Sequence, residues 1–179
     1  MTCIIGLKRD GKVYLGADSM HLCGWHRYRV PQPKIFRVGK MLIGTSGEQR
    51  VSDILQYNLI VEQEDMWTDN PADYIVQAVI PVIREALREH GAMMSDEGRD
   101  GIESSDIMIG YRGSLFIIGE DFSLSEIETY EAIGAGAKYA LGYMYAAGYQ
   151  DPIQAIEGAL ECAAWFSASC AGPYVVEKL

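Results

Sequence analysis

Residues 2–19 read TCIIGLKRDGKVYLGADS, and the architecture follows from them. CIIGLK (3–8) and KVYLGAD (12–18) are short apolar strands around RDGK, where Asp10-Gly11 is a strong two-residue hairpin signal. Two further strands, KIFRV at about 34–38 and MLIGTS at 41–46, meet at Gly39-Lys40, so the first quarter is an antiparallel meander. Residues 19–33, with Gly24, Pro31 and Pro33, read as a loop. The apolar residues of these strands fall on consecutive positions and do not alternate. That is the pattern of strands covered on both faces, so other elements must pack on the sheet.

Helical spacing follows. Val51, Ile54, Leu55 and Leu59 lie on one face of a helix over about 48–62. A second helix, about 72–90, opens at Asn70-Pro71, and Pro81 inside it predicts a kink. Residues 91–105, glycine-rich and acidic, read as an exposed, mobile loop. Strands return at 106–112, 114–119 and about 127–133. Helices follow at about 136–148 and, opened by Asp151-Pro152, at about 152–168, and GPYVVEKL supplies a last strand. This order of strands, two helices, strands, two helices and a strand predicts an α+β fold. The expected form is a four-layer αββα sandwich, with two antiparallel sheets face to face and a helix pair outside each.

The 179 residues, 49% hydrophobic and 22% charged, suit one domain over 1–179 with a sizeable core. No apolar run approaches the length of a membrane span, and MTCIIGLKRDG meets charge too early for a signal peptide. A formal charge of −10 discourages nucleic-acid binding, which rests on neutralising phosphates with Lys and Arg. Cysteines 3, 23, 162 and 170 form no CxxC pair. Cys3 in an apolar strand and Cys162 in an apolar helix read as reduced core cysteines, and a cytoplasmic protein is expected. In HLCGWH, His21, Cys23 and His26 lack the fourth ligand and tight spacing of a zinc site, so no metal is expected.

Thr2 stands directly behind Met1. With the methionine removed, one residue carries both a nucleophilic hydroxyl and its own base, the α-amine. TxIIG at the start, GADS at 16–19, Lys34 in PKIF, GTSG at 44–47 and AIGAGAKYALG at 132–142 occur in that order. On these elements the chain resembles the proteasome-type N-terminal-nucleophile hydrolases, the family of proteasome β subunits and of the bacterial ring protease partnered by an unfoldase.

The resemblance implies a threonine peptidase in which Thr2 Oγ attacks a peptide carbonyl. The α-amine, with a reference pKa of about 7.7–8.0, takes the proton directly or through a water. Lys34 places a cation beside the amine and hydroxyl, Asp18 pairs with Lys34, and the Gly47 N–H faces the oxyanion. Ser19, Gly134, Ala135, Gly136, Ser167 and Ser169 occupy supporting positions. No cofactor is required. The implied substrate is a peptide or unfolded protein, and the implied assembly is a homo-oligomer of stacked rings with an ATP-dependent unfoldase as partner.

The chain departs from the family pattern at several places. Ala135 stands where the family has the serine of IGSG, Met20 follows GADS where arginine is usual, and AAWFSASCAG offers Trp165 near the position of a later aspartate. Two other readings stay open. One is an inactive ring or shell protein that retains Met1; the other is an amidase acting on a small molecule.

Overall fold

The computed structural model describes residues 2–61, 69–96, 99–148 and 151–179. β1 (Ile4–Arg9) and β2 (Lys12–Asp18) form the expected hairpin, with Arg9 opposite Lys12 and Ile4 opposite Ala17. β3 (Met20–Cys23) pairs with β4 (His26–Arg29), β5 (Ile35–Val38) with β6 (Met41–Ser46), and β7 (Met93–Asp96) with β8 (Arg99–Ile102). β9 (Asp106–Tyr111), β10 (Ser114–Ile118), β11 (Leu124–Ile127), β12 (Tyr130–Ile133) and β13 (Tyr174–Lys178) complete the strands among the described residues.

Two larger sheets result, one ordered β12-β1-β2-β13 and the other β11-β10-β9-β6-β5, every pair antiparallel. Ile4, Leu15 and Ile133 of the first sheet meet Leu42, Met108 and Leu115 of the second in a core between them. The outer face of the first is covered by α4 (Ala137–Ala147) and α5 (Pro152–Phe166), which bury Ile5, Ala140, Ile156 and Leu160 together. The outer face of the second is covered by α1 (Gln49–Asn58), α2 (Pro71–Tyr74) and α3 (Ile80–Glu89), around Ile43, Leu55, Ile83 and Phe116. The four-layer αββα order is therefore present. Three separate apolar clusters explain why the strand sequences carry no polar face.

Several expectations are corrected. The first quarter is not one meander, because the β1–β2 hairpin joins one large sheet and the β5–β6 hairpin the other. Residues 19–33 are not all loop, because the exposed β3–β4 hairpin turns at Gly24, whose φ is +57°. The segment 91–105 carries the β7–β8 hairpin. Ile102 is buried in the cluster beneath the helices, and its N–H donates to Glu120 O at 2.8 Å. The strand expected at 127–133 is two strands, since the chain leaves one large sheet after Ile127 and joins the other at Tyr130. α1 ends at Asn58, short of 62, a residue outside those described. At Pro81, where a kink is expected, the helix continues through a π-helical turn, Ile75–Val79, that joins α2 to α3, and the Ile80 N–H reaches back to Ile75 O. A wider turn before proline absorbs its missing donor and its ring. The N-terminal caps match expectation, with Asn70 accepting from Ala72 N–H and Asp151 from Ile153 and Gln154 N–H.

Candidate active site

The site is assembled where the two large sheets meet. Asp18 ends β2 in one sheet, and Lys34 immediately precedes β5 in the other. Lys34 Nζ donates to Asp18 Oδ1 at 2.9 Å and to Met20 O at 2.7 Å. Their side chains are 6% and 0% exposed, so this ion pair is effectively out of water. Desolvating each ion costs several kcal/mol, which attraction offsets only when the remaining polar atoms are also satisfied. Here the carboxylate collects three backbone donors besides Lys34. Cys3 N–H reaches Oδ1 at 3.0 Å, while Met20 N–H and Ala171 N–H reach Oδ2 at 3.1 and 3.3 Å.

These contacts hold the nucleophile candidate in place. Cys3, bonded to Asp18 on its N–H side, also accepts from Asp18 N–H at 3.3 Å, which fixes the residue after Thr2. The Thr2 carbonyl accepts from Gly136 N–H at 3.2 Å. Gly134, with φ of +91°, lies so close that a Cβ there would sit 2.4 Å from Thr2 O. AIGAGAK therefore wraps the backbone of Thr2, and only glycine permits that approach. Thr2 itself is buried, and Met1 lies outside the described residues.

Thr2, Lys34, Gly47, Thr45, Ser46 and His21 line one cavity of about 290 Å³. Gly47 turns the chain from β6 into α1 with φ of +101°, and a Cβ there would meet Ser104 O at 2.0 Å. The turn is pinned by Glu48 N–H donating to Ser105 Oγ at 3.0 Å. A larger hollow of about 570 Å³ beside Arg84, Arg88 and Phe122 has no serine, threonine, cysteine or lysine in its lining. Chemistry, not size, selects the cavity at Thr2.

Of the residues expected from sequence, Thr2, Lys34 and Gly47 share this cavity, with Asp18 behind Lys34. Gly134 and Gly136 cradle Thr2, and Ala135 is exposed in the same turn, bringing no hydroxyl. Ser19, Ser167 and Ser169 are not in the cavity lining. Ser19 N–H donates to Ala171 O, and Ser167 Oγ accepts from Ser169 N–H, so all three belong to the loop after α5 and its docking on β2.

Sequence reasoning missed His21, Thr45, Ser46, Gln49 and Ser52, which also line the cavity. His21 Nε2 and Thr45 Oγ1 are buried with no hydrogen-bond partner among the described residues. Burial first, and then the Lys34 charge, hold the His21 imidazole below its ordinary pKa and keep it neutral at pH 7. The signal for the hairpin that carries His21 was CGWH: Gly24 in a two-residue turn flanked by strand-compatible residues. Cys23 is paired with His26 across that turn and His21 with Tyr28. No group of three metal-ligating side chains assembles among the described residues.

No family model and no curated protein matches the chain. Solved structures are nevertheless similar over almost all of it. BPH of Thiobacillus denitrificans in complex with epoxomicin has a TM-score of 0.82 at 23% identity, covering 99% of this chain and 97% of that one. Eukaryotic HslV from Trypanosoma brucei has a TM-score of 0.67 at 15% identity, covering 98% of each chain. The Anbu (Gly-1) mutant from Hyphomicrobium sp. strain MC1 has a TM-score of 0.71 at 15% identity, covering 98% of this chain and 80% of that one. The two sheets, the outer helix pairs and these likenesses agree, and the chain has the N-terminal-nucleophile hydrolase fold of proteasome-like peptidases.

Proposed function

We propose that this protein is a threonine peptidase that hydrolyses peptide bonds through Thr2 once Met1 is removed. The observation that carries the reading is the buried Lys34–Asp18 pair at 2.9 Å, with Lys34 and Thr2 lining one cavity. A cation held there favours a neutral α-amine and alkoxide character at the Thr2 hydroxyl. The Thr2 Oγ–carbonyl bond forms as the amine takes the hydroxyl proton. The peptide C–N bond then breaks as the leaving amine is protonated, and water hydrolyses the acyl-Thr2 ester. The Gly47 N–H is the proposed oxyanion donor.

The substrate is a peptide or unfolded protein. The assembly is a homo-oligomeric stacked ring in the cytoplasm, closed by one repeated heterologous interface and served by an ATP-dependent unfoldase. The likeness to HslV and BPH supports the peptide substrate and the ring assembly in this reading.

Thr2→Ala, expressed beside the parent chain, tests the nucleophile. The parent should show a mass lacking one methionine, turn over unfolded or short peptides, and gain the mass of epoxomicin, the compound bound in the BPH complex. The variant should do neither of the last two. Equal turnover by both would remove Thr2 from the mechanism. The second reading, an inactive shell protein, is favoured by Ala135, which places no hydroxyl in the turn around Thr2. A full-length mass with Met1 retained and no turnover would establish it.

A further inference from the structure

Two cysteines meet beside Thr2, and the proposed chemistry uses neither. Cys3 follows Thr2 directly, and Cys170 lies in the loop that leaves α5; both are buried, at 0% and 1% exposure. Their thiols are in hydrogen-bond contact. Both sulfurs press on Gly136, where a Cβ would stand 2.7 Å from Cys170 Sγ and 3.0 Å from Cys3 Sγ. The glycine of AIGAGAK thus leaves room for two sulfurs with no side chain between them. Cys23 is exposed on β3 and Cys162 half-buried on α5, so the contact is specific to one pair of the four cysteines.

We propose that Cys3 and Cys170 are a redox site: a dithiol that a peroxide converts to an intramolecular disulfide, slowing chemistry at Thr2 when it closes. The Cys3 thiol, held up by its bond to Cys170 and by burial, is the donor of the pair. That bond holds the Cys170 thiol below its ordinary range, which makes Cys170 the attacking sulfur. Its sulfur bonds to one peroxide oxygen, the O–O bond breaks, and the departing hydroxide leaves as water with the thiol proton. Cys3 Sγ then attacks the Cys170 sulfenic sulfur, the S–O bond breaks, and a second water carries away the Cys3 proton. Two thiols are oxidised, and one peroxide is reduced to two waters.

The link to Thr2 runs through Asp18. Cys3 N–H and Ala171 N–H both donate to its carboxylate, so the backbone segments that carry the two cysteines flank the same group. A disulfide between them ties these two segments to each other across Asp18, next to the nucleophile. This coupling rests on the reading of Thr2 as nucleophile; formation of the disulfide does not.

The test treats the full chain with hydrogen peroxide, blocks residual thiols under denaturing conditions, and reads intact mass and non-reduced peptide maps. Expected are the loss of two hydrogens, a peptide linking Cys3 to Cys170, and blocking of Cys23 and Cys162 only. Peptide turnover should fall several-fold and return with dithiothreitol. Cys170→Ser should form no link, and in Cys3→Ser the Cys170 sulfur should stop at sulfenic acid, trapped by dimedone. A link involving Cys23 or Cys162, or no link in the parent chain, overturns the redox site. A Cys3–Cys170 link with unchanged turnover overturns the coupling. Absence of turnover in the reduced parent instead removes the peptidase reading and leaves the link to be judged by mass alone.

Discussion

Asp18→Asn is the sharpest probe of the site, because the carboxylate is isosteric with the amide that replaces it while its bonding is not. Oδ1 accepts from Cys3 N–H and Lys34 Nζ, and Oδ2 from Met20 N–H and Ala171 N–H. Whichever way the amide is turned, its NH2 faces two donors. Two buried donors, either Cys3 N–H and the Lys34 ammonium or Met20 N–H and Ala171 N–H, then lose their acceptor at about 1–3 kcal/mol each. Lys34, only 6% exposed, is left beside a neutral group. Breaking a buried pair from one side costs about 3–5 kcal/mol, a figure that overlaps the hydrogen-bond losses and is not added to them. The expected destabilisation is therefore about 3–5 kcal/mol, against a typical total of about 5–15. The assay is urea unfolding of parent, Asp18→Asn, Lys34→Met and the double variant at one protein concentration, so that any assembly contributes equally. The double variant should be more stable than the sum of the two single losses predicts, since it removes both charges. Its peptide turnover should still be lost. Destabilisation below about 1 kcal/mol for Asp18→Asn, or strict additivity in the cycle, would refute the claim that burial makes this pair one unit.

Lys34→Ala should abolish peptide turnover while size-exclusion profiles stay unchanged; surviving activity would remove the activating charge from the mechanism. His21 titrates below the ordinary histidine value of about 6.5. Its neutral form is favoured in the folded chain, so its stabilising contribution is complete above that value and fades as pH falls through the depressed folded pKa. Turnover should show an acid limb from protonation of the Thr2 α-amine, which His21→Gln shifts because it removes a neighbouring group that gains charge at low pH, read from kcat/KM against pH. Gly47→Ala places a Cβ 2.0 Å from Ser104 O at a φ of +101°, so a loss of at least about 1–3 kcal/mol is expected in thermal or urea unfolding. Gly136→Ala intrudes on both cysteine sulfurs and should cost about 1–3 kcal/mol by the same assay.

Asp10-Gly11 and Gly39-Lys40 announced two hairpins, though not that they lie in different sheets, and Asn70-Pro71 and Asp151-Pro152 marked helix starts correctly. These signals are local: a two-residue turn needs φ above zero, and a cap needs an oxygen beside the first N–H groups. The hairpin at β3–β4 was hidden because His26–Arg29 is exposed throughout and carries no apolar periodicity. The change of sheet between Ile127 and Tyr130 was hidden because one run of strand-forming residues serves either sheet. The π-turn before Pro81 was missed because a kink and a widened turn have the same sequence signal.

By itself the sequence determined four apolar layers and a candidate nucleophile at Thr2, because strand burial, caps and residue chemistry are written in nearest neighbours. The resemblance implied its cation and carboxylate, Lys34 and Asp18. Tertiary structure alone decided which hydroxyls meet Thr2. Ser46 and Ser52 line the cavity with Thr2, whereas Ser167 and Ser169 belong to the loop that closes over Asp18. It alone brought Cys3 against Cys170 from opposite ends of the chain. It also placed His21 and Thr45 in the cavity, with polar atoms that have no partner among the described residues. Such meetings depend on how two sheets and two helix pairs stack, and no spacing along one strand or one helix encodes that.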